Sequence, residues 1–225
     1  CFRSSAGATI DRDTRIDMPF PSQGAHQSLS VQFNGGPLGG TPGCHRVTAE
    51  MRGYTQIAQF GGKAVGSQPL KLVTGITTKL GAVFGDPGPF FVYQSFALGG
   101  VQYGEQLRGY PEFSISPNGY IGENTGNTQA QTQSFGTTFF TSSAELGLRV
   151  SQQLYLSSFV DVGNLWLRPR DFNPTRLFRG AGVGAALVTP LGPLGLDVAY
   201  GFDRKDANGL IAGKWQVHFK FGQFF

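Results

Sequence analysis

Apolar and polar residues alternate along this chain with a period of two, most plainly at its end. In Lys214-Trp-Gln-Val-His-Phe-Lys-Phe-Gly-Gln-Phe-Phe225, the set Trp215, Val217, Phe219, Phe221 and Phe225 projects to one side of an extended strand. Gln216, His218, Lys220 and Gly222 project to the other. The same reading recurs upstream. Leu29, Val31 and Phe33 alternate with Ser28, Ser30 and Gln32, and Val47, Ala49 and Met51 alternate with Arg46, Thr48, Glu50 and Arg52. Leu70, Leu72, Ile76 and Leu80 alternate with Lys71, Thr77 and Lys79, and Ala144, Leu146, Leu148 and Val150 alternate with Glu145 and Arg149. Leu156, Val160 and Val162 oppose Ser157 and Asp161, and Val183, Ala185 and Leu187 oppose Gly182, Gly184 and Ala186. Leu194, Leu196, Val198, Tyr200 and Phe202 oppose Gly195, Asp197, Gly201 and Asp203. With a less regular strand before Asp13, the pattern predicts about nine strands of membrane-crossing length.

A strand of a soluble sandwich would alternate in the same way. The content of the second face separates the two cases. That face carries Glu, Asp, Lys or small residues while its opposite stays apolar. Burying such charges in a second hydrophobic layer would be costly, whereas a water-filled interior accommodates them. The fold expected is therefore all-β, an antiparallel transmembrane β-barrel. The connections agree: residues 19–24, Gln152-Gln153 and Thr189–Pro193 read as tight turns, and 34–44, 168–176 and 204–213 as longer loops. Residues 83–137 form one very long connection, of the size that is usually functional in a compact fold. The Gln56–Pro69 connection is longer than the short-turn side of a barrel prefers. Single-chain bacterial barrels have an even strand number, so an odd count predicts that 1–225 is the C-terminal part of a larger barrel.

Composition changes little. The chain has 225 residues, 40% hydrophobic and 14% charged, with 34 glycines and 20 phenylalanines, and its mean hydropathy is -0.13. No run approaches the roughly 18 apolar residues of a membrane helix, which says nothing against strands that alternate. The net charge of +4 is scattered and forms no basic stripe with interleaved aromatics, so no nucleic-acid partner is expected. Cys1-Phe-Arg-Ser-Ser lacks the apolar region of a signal peptide. The two cysteines, Cys1 and Cys44, lack metal-ligand spacing and could bridge neighbouring outer loops in an oxidising compartment. Asp11, Asp13 and Asp17 do not have the spacing of a calcium loop. His26, His45 and His218 have no serine and aspartate arranged as a triad. His218 falls on the lumen side, where a hydrogen-bonded structural role is expected. No catalytic residue, metal or cofactor is predicted.

The long connection holds Phe96-Ala-Leu-Gly-Gly100 and Leu107-Arg108-Gly109-Tyr110. An arginine that folds into a low-dielectric interior needs a carboxylate. Glu145 and Asp161, on neighbouring strands and facing the lumen, are the candidates to supply it bidentately. Glycines at 180, 182 and 184 leave room for loop backbone against the wall.

The order Leu-Arg-Gly-Tyr, Ala144-Glu145-Leu146, Phe159-Val-Asp161-Val-Gly163, a glycine strand, Pro190-Leu-Gly-Pro-Leu194 and an aromatic C-terminus resembles the barrel-assembly insertases of outer membranes, the BamA/TamA superfamily. Asp13-Thr-Arg-Ile-Asp-Met-Pro-Phe-Pro-Ser-Gln-Gly24 resembles their mid-barrel turn, and Gln223 departs from an aromatic terminal signal. The resemblance implies about nine C-terminal strands of a barrel of about 16, preceded by further strands and periplasmic POTRA domains. It implies a loop–lumen clamp of Arg108, Gly109 and Tyr110 with Glu145, Asp161 and Gly163. It also implies a lateral seam at the terminal strand, with Trp215, Val217, Phe219, Phe221, Gly222 and Phe225. The implied function is insertion of unfolded outer-membrane proteins in a Gram-negative outer membrane. Membrane lipids and accessory assembly lipoproteins are the other partners implied. A secretion transporter, a lipase-fused barrel and a passive porin are the rival readings.

Overall fold

A computed structural model describes residues 4–36, 39–40, 43–61, 68–88, 91–122, 133–190, 192–206 and 208–221. Nine long strands form one antiparallel sheet in chain order. They are β1 (Ser5–Asp13), β2 (Gly24–Asn34), β3 (Gly43–Phe60), β4 (Leu70–Asp86), β9 (Thr138–Arg149), β10 (Leu154–Trp166), β11 (Phe178–Thr189), β12 (Gly192–Gly201) and β13 (Lys214–Phe221). The described residues of the connection between β4 and β9 hold a helical turn, α1 (Phe91–Gln94), and four two-residue strands. These are β5 (Phe96–Ala97) paired with β8 (Phe135–Gly136), and β6 (Ile115–Ser116) paired with β7 (Gly119–Tyr120). Among the described residues no helix is long and apolar enough to cross a membrane.

Alternation sorts the two faces of the sheet. Ile10, Met51, Ile76, Val160, Val183, Trp215 and Phe219 are all more than half exposed and share one face. An apolar face this extensive, continued from β1 to β13, is what a lipid-facing wall requires. The opposite face carries His26, Lys79, Glu145, Asp161, Asp197 and His218, and the β4–β9 connection lies against it.

Two boundaries differ from the expectation, each for a local reason. β3 extends to Phe60, because a bulge at Ile57 shifts the register between Gln56 and Ala58. The extra residue inverts the alternation without ending the strand, so the connection to β4 begins at Gly61 rather than at Gln56. β4 runs to Asp86, so the loop begins after it rather than at Val83. Near the long-loop end the inner face is dry: Val83, Phe139 and Leu165 pack with Phe96, Leu98, Leu107, Tyr110 and Ile115 of the loop. Apolar residues therefore occupy both sides of the strand there, and the period of two is lost. The interior is thus polar through its middle and hydrophobic where the loop enters. Each large side chain buried in that cluster contributes about 1.5–3 kcal/mol to docking the loop.

At the opposite end the turn between β1 and β2 tucks inward. Phe20 is fully buried and stacks on Tyr155 of β10, with ring centroids 5.1 Å apart. Asp17, in the left-handed region at φ 65, holds Lys71 Nζ at 2.6 Å and Arg149 Nη1 at 3.0 Å, and Ser22 Oγ donates to it. The hydrogen bond from Lys71 is the main reason its carboxyl sits below the usual 3.8, with Ser22 and Arg149 adding to it. A carboxyl held low stabilises the turn above its unfolded value and loses that contribution only as pH falls through the folded value. The turn should therefore resist protease near Arg15 down to about pH 4 and open below it. Opening that begins at pH 5 or above would contradict the assignment.

Candidate functional site

The site is built where the loop tip meets the middle of the wall. Leu107 is fully buried in the loop core, which points the next residue, Arg108, into the sheet. Gly109 follows with φ +92, a conformation that L side chains rarely adopt. Its position is also tight, since a Cβ there would lie 2.8 Å from the backbone nitrogen of Gly201. On β11 a Cβ at Gly180 would lie 2.1 Å from the carbonyl oxygen of Arg108. The bare backbone of β11 is thus the seat of the loop tip.

Arg108 is almost completely enclosed, its side chain 3% exposed. Nε donates to Asp161 Oδ2 and Nη2 to Asp161 Oδ1, both at 2.7 Å, while the Arg108 backbone N–H reaches Oδ2 at 3.2 Å. Nη2 also donates to Ser143 Oγ at 2.8 Å, and Ser143 Oγ donates to Asp161 Oδ1 at 2.6 Å. Nη1 lies 3.3 Å from Glu145 Oε2 and 3.8 Å from Asp197 Oδ2. The guanidinium carbon stands 3.3 Å from the centroid of the Phe159 ring, a cation–π contact on its remaining face. Burial works against the charge, but Asp161 first, then Glu145 and Asp197, outweigh it and hold the guanidinium above its ordinary value. A planar fork that satisfies a bidentate carboxylate while stacking on an aromatic is a task that lysine cannot perform.

The neighbours of Arg108 are held as firmly. The Gly109 N–H donates to His218 Nε2 on β13 at 3.0 Å, which requires a neutral imidazole with its proton on Nδ1. Tyr110 is fully buried; its hydroxyl donates to the carbonyl of Arg179 at 2.8 Å and accepts from the Asp203 N–H at 3.1 Å. Burial pushes that phenol well above its ordinary value. Lys220 Nζ binds Asp197 Oδ2 at 2.6 Å, adding a second cation to the three carboxylates. Tyr155 donates its hydroxyl to Glu145 Oε1 at 3.0 Å, so Phe20 below and Arg108 above bear on one residue pair. Tyr155→Phe keeps the stack and removes the bond. It should loosen the loop by about 1.5–3 kcal/mol, the range for a hydrogen bond to a charged group, read as faster amide exchange at 107–110. Unchanged exchange would show that Glu145 needs no such support.

Arg108, Glu145 and Asp161 thus meet, with Gly109 and Tyr110 alongside. Gly163 lies on β10 two residues beyond Asp161, where a Cβ would be 3.5 Å from Leu107 Cδ1. Trp215, Val217, Phe219 and Phe221 point outward on β13, while Gly222 and Phe225 lie outside the described residues. Cys44 is buried at the start of β3, and Cys1 lies outside the described residues. Sequence reasoning did not assign Ser143, Phe159, Asp197 or Tyr155 to the site. Inward parity was visible for each, but a serine or an aromatic on a lumen face has no signature that names its partner. Among the described residues no group of three or more His, Cys, Asp or Glu side chains is placed to hold a metal ion.

A sheet apolar outside and polar inside, with a long loop latched to its inner face through a buried ion-pair network, defines the wall of a plugged transmembrane β-barrel. The Omp85 superfamily domain matches residues 2–225, and the chain belongs to that superfamily. It is 25% identical over 224 residues to the outer membrane protein assembly factor BamA of Nitratidesulfovibrio vulgaris (strain Hildenborough). That alignment covers 99% of this chain and 26% of the relative, so the chain spans about a quarter of the relative's length.

Proposed function

We propose that residues 1–225 form the C-terminal wall of an outer-membrane assembly factor that folds and inserts β-barrel proteins. In this reading further strands and periplasmic POTRA domains precede the chain. The work involves no covalent chemistry. Arg108, with Glu145 and Asp161, clamps the 87–137 loop inside the lumen, and β13 offers a seam where an unfolded strand pairs with exposed backbone, as at any free sheet edge. The partners are lipid, unfolded outer-membrane proteins and accessory lipoproteins of a Gram-negative envelope.

The observation that carries the reading is the enclosed Arg108 network. A passive porin would keep its lumen open and need no loop held to its wall by a guanidinium with three carboxylates within 4 Å. A templating barrel needs its interior braced while one edge opens. The test is reconstitution of the full-length protein in lipid vesicles, following the folding of an added unfolded β-barrel protein. Arg108→Ala should slow that folding several-fold and free the loop to protease. Steady ion conductance by the unaltered protein, with no acceleration of folding, would favour the porin. Export of a soluble passenger with no acceleration would favour the secretion transporter.

A further inference from the structure

The loop grips β13 at consecutive residues. Gly109 N–H donates to the ring of His218, Gln102 Nε2 donates to the backbone carbonyl of Phe219 at 3.2 Å, and Lys220 shares Asp197 with Arg108. Arg204, which reaches the Gly109 carbonyl at 3.4 Å, also donates to Gln216 Oε1 at 3.2 Å. Three of these contacts fall on side chains that face the lumen, those of His218, Lys220 and Gln216. The bond from Gln102 is different in kind, because it occupies the backbone of a strand whose one sheet neighbour among the described residues is β12.

The backbone that carries Gln102 is held in place. Glu112 accepts hydrogen bonds from the backbone N–H groups of Val101, Gln102 and Tyr103 at 2.7, 2.9 and 3.1 Å, using both carboxylate oxygens. Three successive amides on one carboxylate fix the path of the segment as an anion nest does. Gly100 is part of the arrangement, since a Cβ there would fall 2.0 Å from the Glu112 carboxyl. Phe113, next to Glu112, sits in the left-handed region at φ 57, a conformation that a bulky residue adopts at a cost. Its ring stacks with that of Tyr103 at 6.1 Å. The loop therefore carries a preformed bracket, Glu112 with 101–103, whose projecting amide ends on the terminal strand.

We propose that this bracket is a built-in occupant of the seam: Gln102, positioned by Glu112, holds a backbone acceptor of β13 that an incoming strand must take over. The loop would then do two jobs at once, bracing the wall through Arg108 and guarding the edge through Gln102. Gln102 and Glu112 are positioning residues. Their hydrogen-bond partners are separate from those of Arg108, so the two sets of contacts can be changed independently. The inference rests on the reading of β13 as the pairing edge.

The test uses the full-length protein in vesicles with Val217→Cys on β13. The probe is a synthetic peptide of alternating apolar and polar residues ending in phenylalanine and carrying one cysteine. Disulfide capture of the peptide is timed in this background and with Gln102→Ala or Glu112→Gln added. Protease resistance at the loop confirms that the Arg108 latch is intact. Capture several-fold faster in both variants, with the loop still resistant, is the expected result. Equal, measurable capture in all three overturns the guard and leaves the edge reading standing. No capture in any of them overturns the edge reading, and the guard with it.

Discussion

Asp161→Ala will release the loop tip. The substitution removes both short bonds to the guanidinium and the acceptor of the Arg108 backbone N–H, along with the partner of Ser143. Arg108, itself almost fully enclosed, is left with Glu145 at 3.3 Å and Asp197 at 3.8 Å as its remaining anions. Breaking a buried pair by removing one partner costs about 3–5 kcal/mol, because the other charge stays desolvated. The two remaining carboxylates place this case at the lower end, about 3 kcal/mol. At about 1.4 kcal/mol per decade, the protection of amides at 107–110 should fall by about two powers of ten. Asp161→Asn should fall between the two, since it keeps the shape and one acceptor but loses the charge. A loop equally protected in all three forms would mean that the hydrophobic cluster of Leu98, Leu107 and Ile115 holds it alone.

Gly180→Ala attacks the same docking without touching a charge. The added carbon would lie 2.1 Å from the carbonyl oxygen of Arg108, and a backbone atom cannot swing aside as a flexible side chain can. Overpacking at such a site costs about 1–3 kcal/mol, and here the loop yields rather than the strand. β11 is paired along its length with both β10 and β12. The expected result is a displaced loop tip, seen as loss of protection at 108–110, with strand content unchanged. Gly53→Ala is the control: a Cβ there meets nothing within 4 Å, so a change within about 0.5 kcal/mol is expected. If Gly180→Ala behaved like Gly53→Ala, the loop would not rest on β11.

Much of the wall was legible because one physical demand, lipid on one side and water on the other, was written at every second position. Trp215, Val217 and Phe219 against Gln216, His218 and Lys220 gave the strand, and the recurrence of charged or small residues on the second face of the other strands gave the wall. The alternation failed where the demand changed. At Ile57 an extra residue inverted the parity. From Gly81 onward the inner face of β4 meets the loop core instead of water, and Val83 no longer contrasts with its neighbours. In the site, Arg108, Glu145 and Asp161 could be singled out because a buried cation must find an anion. Ser143 and the ring of Phe159 complete that cation's surroundings, but their types are ordinary on a strand. Gln102 and Glu112 were invisible for another reason. Their roles come from a turn that sets one carboxylate opposite three amides, and no spacing rule predicts that geometry.

The central claim, that the loop is fixed inside the wall by the guanidinium, is tested most directly by amide exchange in the full-length protein in lipid. The N–H of Arg108 donates to Asp161 and that of Gly109 to His218. Both should exchange as slowly as amides within β10. If Arg108 and Gly109 exchanged as fast as amides of an unfolded chain, the loop would not be docked.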